Sequence, residues 1–392
     1  MLDNLPAGRR EQIELLRTGA GTFLSRESPL TRARSLRGQV PGFDRQFWAQ
    51  LASEGWTGLL VPETHGGLGL GWHEMATVTA ALADVLAPEP LVPGAVFAGR
   101  ILEALAPGSA LAAQLLRDLA EGSLLPAVAW QEQETGTPWT EDGDLAPPAA
   151  LLEPDGAGWR LRGRKFHVRP GAGADGYLVS ALLGGQPALV WVAAGAPGLT
   201  ADMVQLADGT CSARLTFDNA VVAGSECLGR GDAAAAALIR ALDETLIMTG
   251  VELRALAERM IGMTLDYLRT RVQFGKPIGG FQALQHRAVD MWIQLALCGA
   301  VVDEAVAALD RGAEGRERAL IASRAKSRGG DAALTIAREA VQLHGAIGFT
   351  DEYDLGLYLK RALVLASWLG NPLQQRRRYA ALDRAVNTNG EF

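Results

Sequence analysis

The strongest constraint on what this chain can fold into is that its hydrophobic pattern changes period twice. From about residue 9 to residue 121 apolar side chains recur at helical spacing, as in FWAQLASEGW and EMATVTAALADVL, with breaks at Pro41, at residues 62–71 and at residues 88–93. From about residue 124 to residue 229 the texture becomes short alternating runs, such as GWRLRGRKFHV and ALVWVAA, separated by Gly, Pro and Asp. From residue 232 onward long Ala/Leu/Met stripes return. A repeat near 3.6 places side chains on one helix face, and a repeat of two places them on one face of a strand. The reading is therefore an α+β protein, mainly α, in three parts. These are an N-terminal helical domain (1–122), a middle β-barrel or sandwich domain (123–230) and a C-terminal four-helix bundle (231–392). The order helices, sheet, helices excludes a βαβ repeat, and with it a Rossmann domain, despite several glycine pairs.

The rest of the composition removes whole classes of function. A net charge of -7, with Arg spread among Asp and Glu, offers no basic face for nucleic acid. Cys211, Cys227 and Cys298 lie far apart, without metal-ligand spacing and in odd number, which fits a reducing cytoplasm. The five His residues are scattered, His73-Glu74 lacks the second His of a zinc helix, and no Gly-x-Ser-x-Gly elbow occurs, so no metal site is expected. The segment MLDNLPAGRREQIELL lacks the apolar core of a signal peptide. No run reaches the roughly 20 uninterrupted apolar residues of a membrane span. A soluble cytoplasmic protein is expected.

The most distinctive stretch is RVQFGKPIGGFQALQH, residues 271–286, where one helical stripe ends and the next begins. Helices rarely cross Gly-Lys-Pro-Ile-Gly-Gly. Arg271 at a helix end, with Gln273, Gln282, Phe274 and Phe281 around the glycine turn, can offer a guanidinium to a pyrophosphate and aromatic faces to an adenine. The string resembles the signature of the acyl-CoA dehydrogenase family, in which residues at these places hold FAD across a subunit interface. The resemblance continues in VQLHGAIGFTDEYDLGLYLKRA, where Gln342 and Gly345 match a turn that contacts a neighbouring subunit's FAD. Ala346 stands there in place of a second glycine, and His344 lies inside the same turn. It extends to GWTGLLVPETHGGLGLG near the N-terminus and to GWRLRGRKFHVRPGAGADGYLVSA in the β region, where Lys165, Gly171 and Asp175 match. His167 and Arg169 depart from the aromatic and small hydroxyl residues that relatives place against the flavin ring. Gln131, beside a matching Glu132, replaces a flavin-contacting hydroxyl.

The family reaction draws an α-proton from an acyl thioester onto a Glu while the β-hydrogen leaves as hydride to the flavin. Most relatives carry that Glu in a Tyr-Glu-Gly-Thr turn, which corresponds here to Trp368-Leu369-Gly370-Asn371, with Asn371 counted among the cofactor contacts. Others carry it on the helix leading to Arg271, at a place occupied here by Thr245. Two nearby carboxylates remain as candidate bases. Glu252 shares the face of Thr245 about 10 Å further along the helix, and Glu244 sits at its height but is turned by roughly 100°. If not a base, Glu244 would cap the helix start and Glu252 would pair with Arg254 or Arg259.

The resemblance thus implies FAD-dependent α,β-dehydrogenation of an acyl thioester, on CoA or a carrier protein, with electrons passed to an electron-transfer flavoprotein. The expected assembly is a homo-oligomer, dimer or tetramer, or a heterotetramer. Two alternatives stay open: a non-catalytic or half-site subunit of a heteromeric enzyme, and a flavin oxidase or monooxygenase on the same scaffold.

Overall fold

In the computed structural model, which describes residues 5–387, helices and strands follow one another in the order that the changes of period imply. The first four residues of the N-terminal segment lie outside the described residues. Helices α1 (Ala7–Glu27), α2 (Leu30–Leu36), α3 (Arg45–Ser53), α4 (Trp72–Asp84), α5 (Gly99–Leu105) and α6 (Ala110–Ala120) form the N-terminal part. Their starts follow capping chemistry: the Asp44 carboxylate accepts from the Gln46 N–H at 2.8 Å, and the Ser109 hydroxyl accepts from the Ala112 N–H at 3.2 Å.

Eight strands follow as one mixed sheet: β1 (Pro126–Ala129), β2 (Leu151–Asp155), β3 (Gly158–Val168), β4 (Gly176–Leu183), β5 (Gln186–Ala193), β6 (Leu199–Gln205), β7 (Cys211–Val222) and β8 (Cys227–Arg230). The order is β6-β7-β3-β2-β4-β5-β8, with β1 added in parallel along β4. Alternate residues of these strands, among them Leu161, Val179, Val190 and Leu215, close around a core of their own, separate from the larger helical core. The pairing of β3 with β7 slips between Leu161 and Gly163 and again between Lys165 and Val168. Each slip bends the strand.

The C-terminal bundle begins with α7 (Gly231–Thr270), whose 40 residues span its whole length. A short hairpin of β9 (Val272–Gln273) and β10 (Lys276–Pro277) leads into α8 (Gln282–Asp310) and α9 (Gly315–His344). The last stretch is divided by the Gly370 turn into α10 (Leu355–Ser367) and α11 (Pro372–Asn387). Helix α9 packs on α7, α8, α10 and α11. It meets α7 where two glycines coincide: a Cβ on Gly329 would lie 3.3 Å from the Cα of Gly250, so the crossing depends on the absence of side chains.

Helix α8 is, by length and composition, apolar enough to cross a membrane, yet it lies against α7 and α9 as a bundle helix. Only 39% of its most apolar stretch is buried. Val289, Trp292, Ile293 and Leu297 form the uncovered face.

Candidate active site

The break in β3 is where the site begins. Just past Lys165 the strand carries His167 in the left-handed region at φ +55°, and its Nε2 lies 3.0 Å from the Glu134 carbonyl. One residue before the break, Lys165 is fully buried, and its ammonium donates to the Glu132 carboxylate at 2.6 Å and to the Ser180 hydroxyl at 2.9 Å. Burial pushes this lysine down to about 8, against the pull of Glu132. The pair ties the segment after β1 to β3, and the Gln131 carbonyl accepts from the Phe166 N–H at 2.8 Å. Gln131 and His167 are thereby held on one wall of a cavity of about 550 Å³.

The turn after α10, comprising Trp368, Leu369, Gly370 and Asn371, also lines this cavity. Leu369 is buried and held at φ +60°, a conformation that costs a non-glycine residue about 1–2 kcal/mol. Gln375 Nε2 donates to the Leu369 carbonyl at 2.6 Å, and Lys326 Nζ donates to the carbonyls of Ala366 and Gly370, both at 3.0 Å. Five non-glycine residues have positive φ among the described residues: His167 and Leu369 line this one cavity, and Phe274 sits on the glycine loop. Backbone strain concentrated in this way is typical of functional sites.

Lys326 gives the turn a pH dependence. It is fully buried, and burial pushes its ammonium down to about 7, whereas an unfolded lysine titrates near 10.4. Above the unfolded value the lysine is neutral in both states and costs nothing. As pH falls toward the folded value the unfolded chain takes up a proton that the folded chain resists, so stability is lost over that window. The loss is roughly 1 kcal/mol per pH unit for such a group. Denaturant midpoints are therefore expected to rise between pH 7 and pH 10, with a shallower rise in Lys326→Met; equal slopes in the two proteins would refute the assignment.

The carboxylates singled out from the sequence lie elsewhere. Glu244 does not cap the helix start. It is buried, with Arg100 Nε at 2.8 Å and Arg240 Nε at 2.9 Å, and it is absent from the lining of the large cavity. Burial pushes its carboxyl up, opposed by the Arg100 guanidinium. Glu252 is buried as expected but pairs with neither Arg254 nor Arg259. Its partner is Arg361, at 3.1 Å, which also holds Asp208 at 3.0 Å, while Arg254 pairs with Asp303 and Arg259 bonds Tyr358. Glu252 lines a separate small cavity of about 30 Å³. Thr245 is also committed, its hydroxyl donating to the Ala241 carbonyl at 2.6 Å. Among the described residues, the carboxylate that lines the large cavity is Glu134, which is exposed and ion-paired with Arg214. Sequence reading missed Arg361, Asp208 and Lys326, because nothing local marks their partners.

The cofactor contacts expected from the sequence divide into two groups. Gln131, His167, Arg169 and Asn371 line the large cavity. Arg271, Gln273, Phe274, Phe281 and Gln282 lie instead at the far end of α7, with Phe274 92% exposed and edge-on to Phe281 at 6.1 Å. Gln342, Gly345 and Ala346 are exposed at the end of α9. His344 brings these two surface motifs together. It stacks on Tyr267 at 4.5 Å, and its Nδ1 lies 2.7 Å from the Ala340 carbonyl, so it supports the turn from within. A phenylalanine exposed to this degree, like the apolar face of α8, is surface of the kind that marks interaction sites.

The donors fit a flavin nucleotide. The large cavity has the volume of a small-molecule pocket, about 300–1,000 Å³. Its walls combine flat apolar surface at Trp368 and Leu369 with amides from Gln131, Asn371 and Gln374. Gly136 bounds the cavity at φ +99° with open space where a Cβ would stand, leaving room for close approach of a ligand to the backbone.

Known proteins carry the same architecture. Residues 10–123 match the family model for the acyl-CoA dehydrogenase N-terminal domain, and residues 235–381 match that for the acyl-CoA dehydrogenase C-terminal domain. The chain is 29% identical to acyl-CoA dehydrogenase IpdE2 of Mycobacterium tuberculosis over 94% of its own length and 96% of that protein. Among solved structures, a chain from a variant of the Tcur3481-Tcur3483 steroid ACAD superposes with a TM-score of 0.84 at 29% identity, covering 97% of this chain and 99% of that one. A chain of the ChsE4-ChsE5 complex from Mycobacterium tuberculosis gives 0.83 at 25% identity, covering 97% and 98%. With the helix, sheet and helix order, the strained cavity walls and these matches together, the chain belongs to the acyl-CoA dehydrogenase family of flavoprotein oxidoreductases.

Proposed function

We propose that this chain is one subunit of an FAD-dependent acyl-CoA dehydrogenase whose proton-abstracting carboxylate comes from a second, different chain. The reaction is removal of hydrogen from the α and β carbons of an acyl thioester. The observation that carries this reading is the state of the expected bases. Leu369 occupies the cavity wall, Glu244 is bound by Arg100 and Arg240, and Glu252 is bound by Arg361 outside the large cavity. Each of these carboxylates is tied to arginine partners away from the large cavity, so neither side chain reaches a thioester bound there.

When bound, FAD accepts the β-hydrogen as hydride. Gln131, His167 and Asn371 would hold the flavin in the large cavity. The loops at Arg271 and Gln342 would serve a neighbouring subunit's FAD, a reading that their exposure supports. The Leu369 backbone N–H would polarise a thioester carbonyl, since that donor does not depend on the side chain. The apolar face of α8 supports an oligomer, and two similar solved chains belong to proteins whose names pair two components. As the family resemblance implies, an electron-transfer flavoprotein would be the partner that receives the electrons.

The test is to purify the chain alone and together with a base-bearing family member, then add acyl-CoAs anaerobically and follow flavin absorbance. The mixed assembly should bleach and the single chain should stay yellow or colourless. Bleaching of the single chain by any acyl-CoA would make it self-sufficient and overturn the two-chain reading.

A further inference from the structure

Four buried charges between the sheet and the bundle balance one another. Arg361 of α10 holds Asp208 at 3.0 Å and Glu252 of α7 at 3.1 Å, and Arg169 beside them makes two cations against two anions. Burial works to raise the Asp208 carboxyl, yet Arg361 and Arg169 hold it below its usual range, so it stays ionised. Asp208 divides its two oxygens between two tasks. Its Oδ1 accepts from the Thr210 N–H at 3.0 Å and from the Thr210 hydroxyl at 2.7 Å, which folds the turn between β6 and β7. Its Oδ2 accepts from Arg361 Nη1, which docks that turn on α10.

The place of this turn gives the tie its consequence. Leu206 and Ala207, which directly precede Asp208, line the large cavity, and so do Leu363 and Val364, which follow closely after Arg361. The ion pair therefore fixes two stretches of cavity wall, one from the sheet and one from the bundle, relative to each other. Strand β6 lies at the edge of the sheet, and the turn closes on itself, with the Gly209 N–H on the Leu206 carbonyl at 3.0 Å and the Leu206 N–H on the Thr210 carbonyl at 2.8 Å. Those bonds shape the turn without attaching it to α10. Helix α10 is anchored independently, by the Tyr358 hydroxyl on the Asp84 carbonyl at 2.6 Å and by Lys326 on the Ala366 carbonyl. A buried ion pair adds little net stability but can select one arrangement of the elements it joins.

We infer that Asp208 is a positioning residue of the flavin cavity: its pairing with Arg361 holds the β6–β7 turn against α10 and keeps Leu206 and Ala207 in the wall. Asp208 is itself absent from the lining of the large cavity, so it acts through the two residues that precede it. Glu252, on the same guanidinium, ties α10 to α7 and leaves the turn alone. The inference rests on reading the large cavity as the flavin site.

The experiment sets Asp208→Asn against Glu252→Gln, two isosteric exchanges that remove the same charge from the same cluster. In Asp208→Asn the amide oxygen still serves Thr210, while the amide NH2 faces a guanidinium that also only donates. Hydrogen exchange of residues 206–210, measured on the full chain in its native assembly, should be about 10-fold faster or more in Asp208→Asn, the factor that a lost charge-assisted hydrogen bond sets. FAD titrated into the flavin-free assembly should bind at least about 10-fold more weakly, because the wall has to close for each binding event. Glu252→Gln should leave both close to the parent values, since the turn keeps its bond to Arg361. Equal exchange of the turn in parent and Asp208→Asn, or an equal change in the two variants, would overturn the inference. Faster exchange with unchanged FAD affinity also overturns it, because the turn is then no part of the flavin wall. An unaltered protein that takes up no FAD would remove the flavin reading itself, and exchange of the turn would still decide whether Asp208 holds it. If Asp208→Asn does not fold, Asp208→Asn with Arg361→Gln removes the stranded cation as well, and a turn as protected as the parent's in that variant counts against the inference.

Discussion

Flavin reduction by an acyl-CoA is expected to rise by about 10²–10⁴-fold in Leu369→Glu, the range that a placed general base contributes. The turn is prepared for the exchange. Leu369 is 2% exposed on the cavity wall, its carbonyl is held by Gln375, and the turn is clamped by Lys326. The left-handed backbone costs a glutamate no more than a leucine, because neither is branched at Cβ. Burial raises the pKa of a carboxyl in such a site, so the rate should increase with pH through that raised value and level off above it. The measurement is rapid anaerobic mixing with an acyl-CoA while following flavin absorbance. A folded, flavin-loaded Leu369→Glu chain that reduces no faster than the parent would show that the cavity does not bring a thioester to this wall.

Lys165→Met should have the largest effect on stability, about 3–5 kcal/mol, because it leaves the largely covered Glu132 carboxylate without its counter-ion. Glu132 would then keep only the backbone N–H groups of Ala149 and Ala150, after losing an ammonium at 2.6 Å. The double variant Lys165→Met with Glu132→Gln removes the stranded charge and should recover a substantial part of the loss. Denaturant titrations of both variants check this, and a single substitution costing under about 1 kcal/mol would mean that the pair is solvated. The same substitution should weaken flavin retention, since the pair fixes the segment that carries Gln131 against the one that carries His167.

Much of the architecture is legible without coordinates, for reasons visible in particular segments. The alternating run GWRLRGRKFHV becomes β3, and the stripe ending at Arg271 becomes the 40-residue α7, because hydrophobic period is a local property that folding only has to satisfy. The glycine-proline loop at residues 274–280 reads as a break for the same reason, and the structure places its β9–β10 hairpin between α7 and α8. The absence of a carboxylate at Leu369 is likewise a matter of residue identity alone.

What Glu244, Glu252 and Asp208 are able to do is another matter. Glu244 meets Arg100, 144 residues away, and Glu252 meets Arg361, 109 residues away, so neither pairing has a trace in the neighbouring sequence. Both glutamates are buried on the same helix, yet one is locked between two arginines and the other lines a different cavity. Lys326 and the Gly370 turn, or Lys165 and Glu132, become partners only once the bundle and the sheet have closed. Order of elements, break points and the leucine at position 369 follow from residue type and spacing along the chain. Charge compensation, access and the tie of Asp208 to Arg361 follow from which distant groups are buried together, because the free energy of a buried charge depends on its immediate neighbours in space.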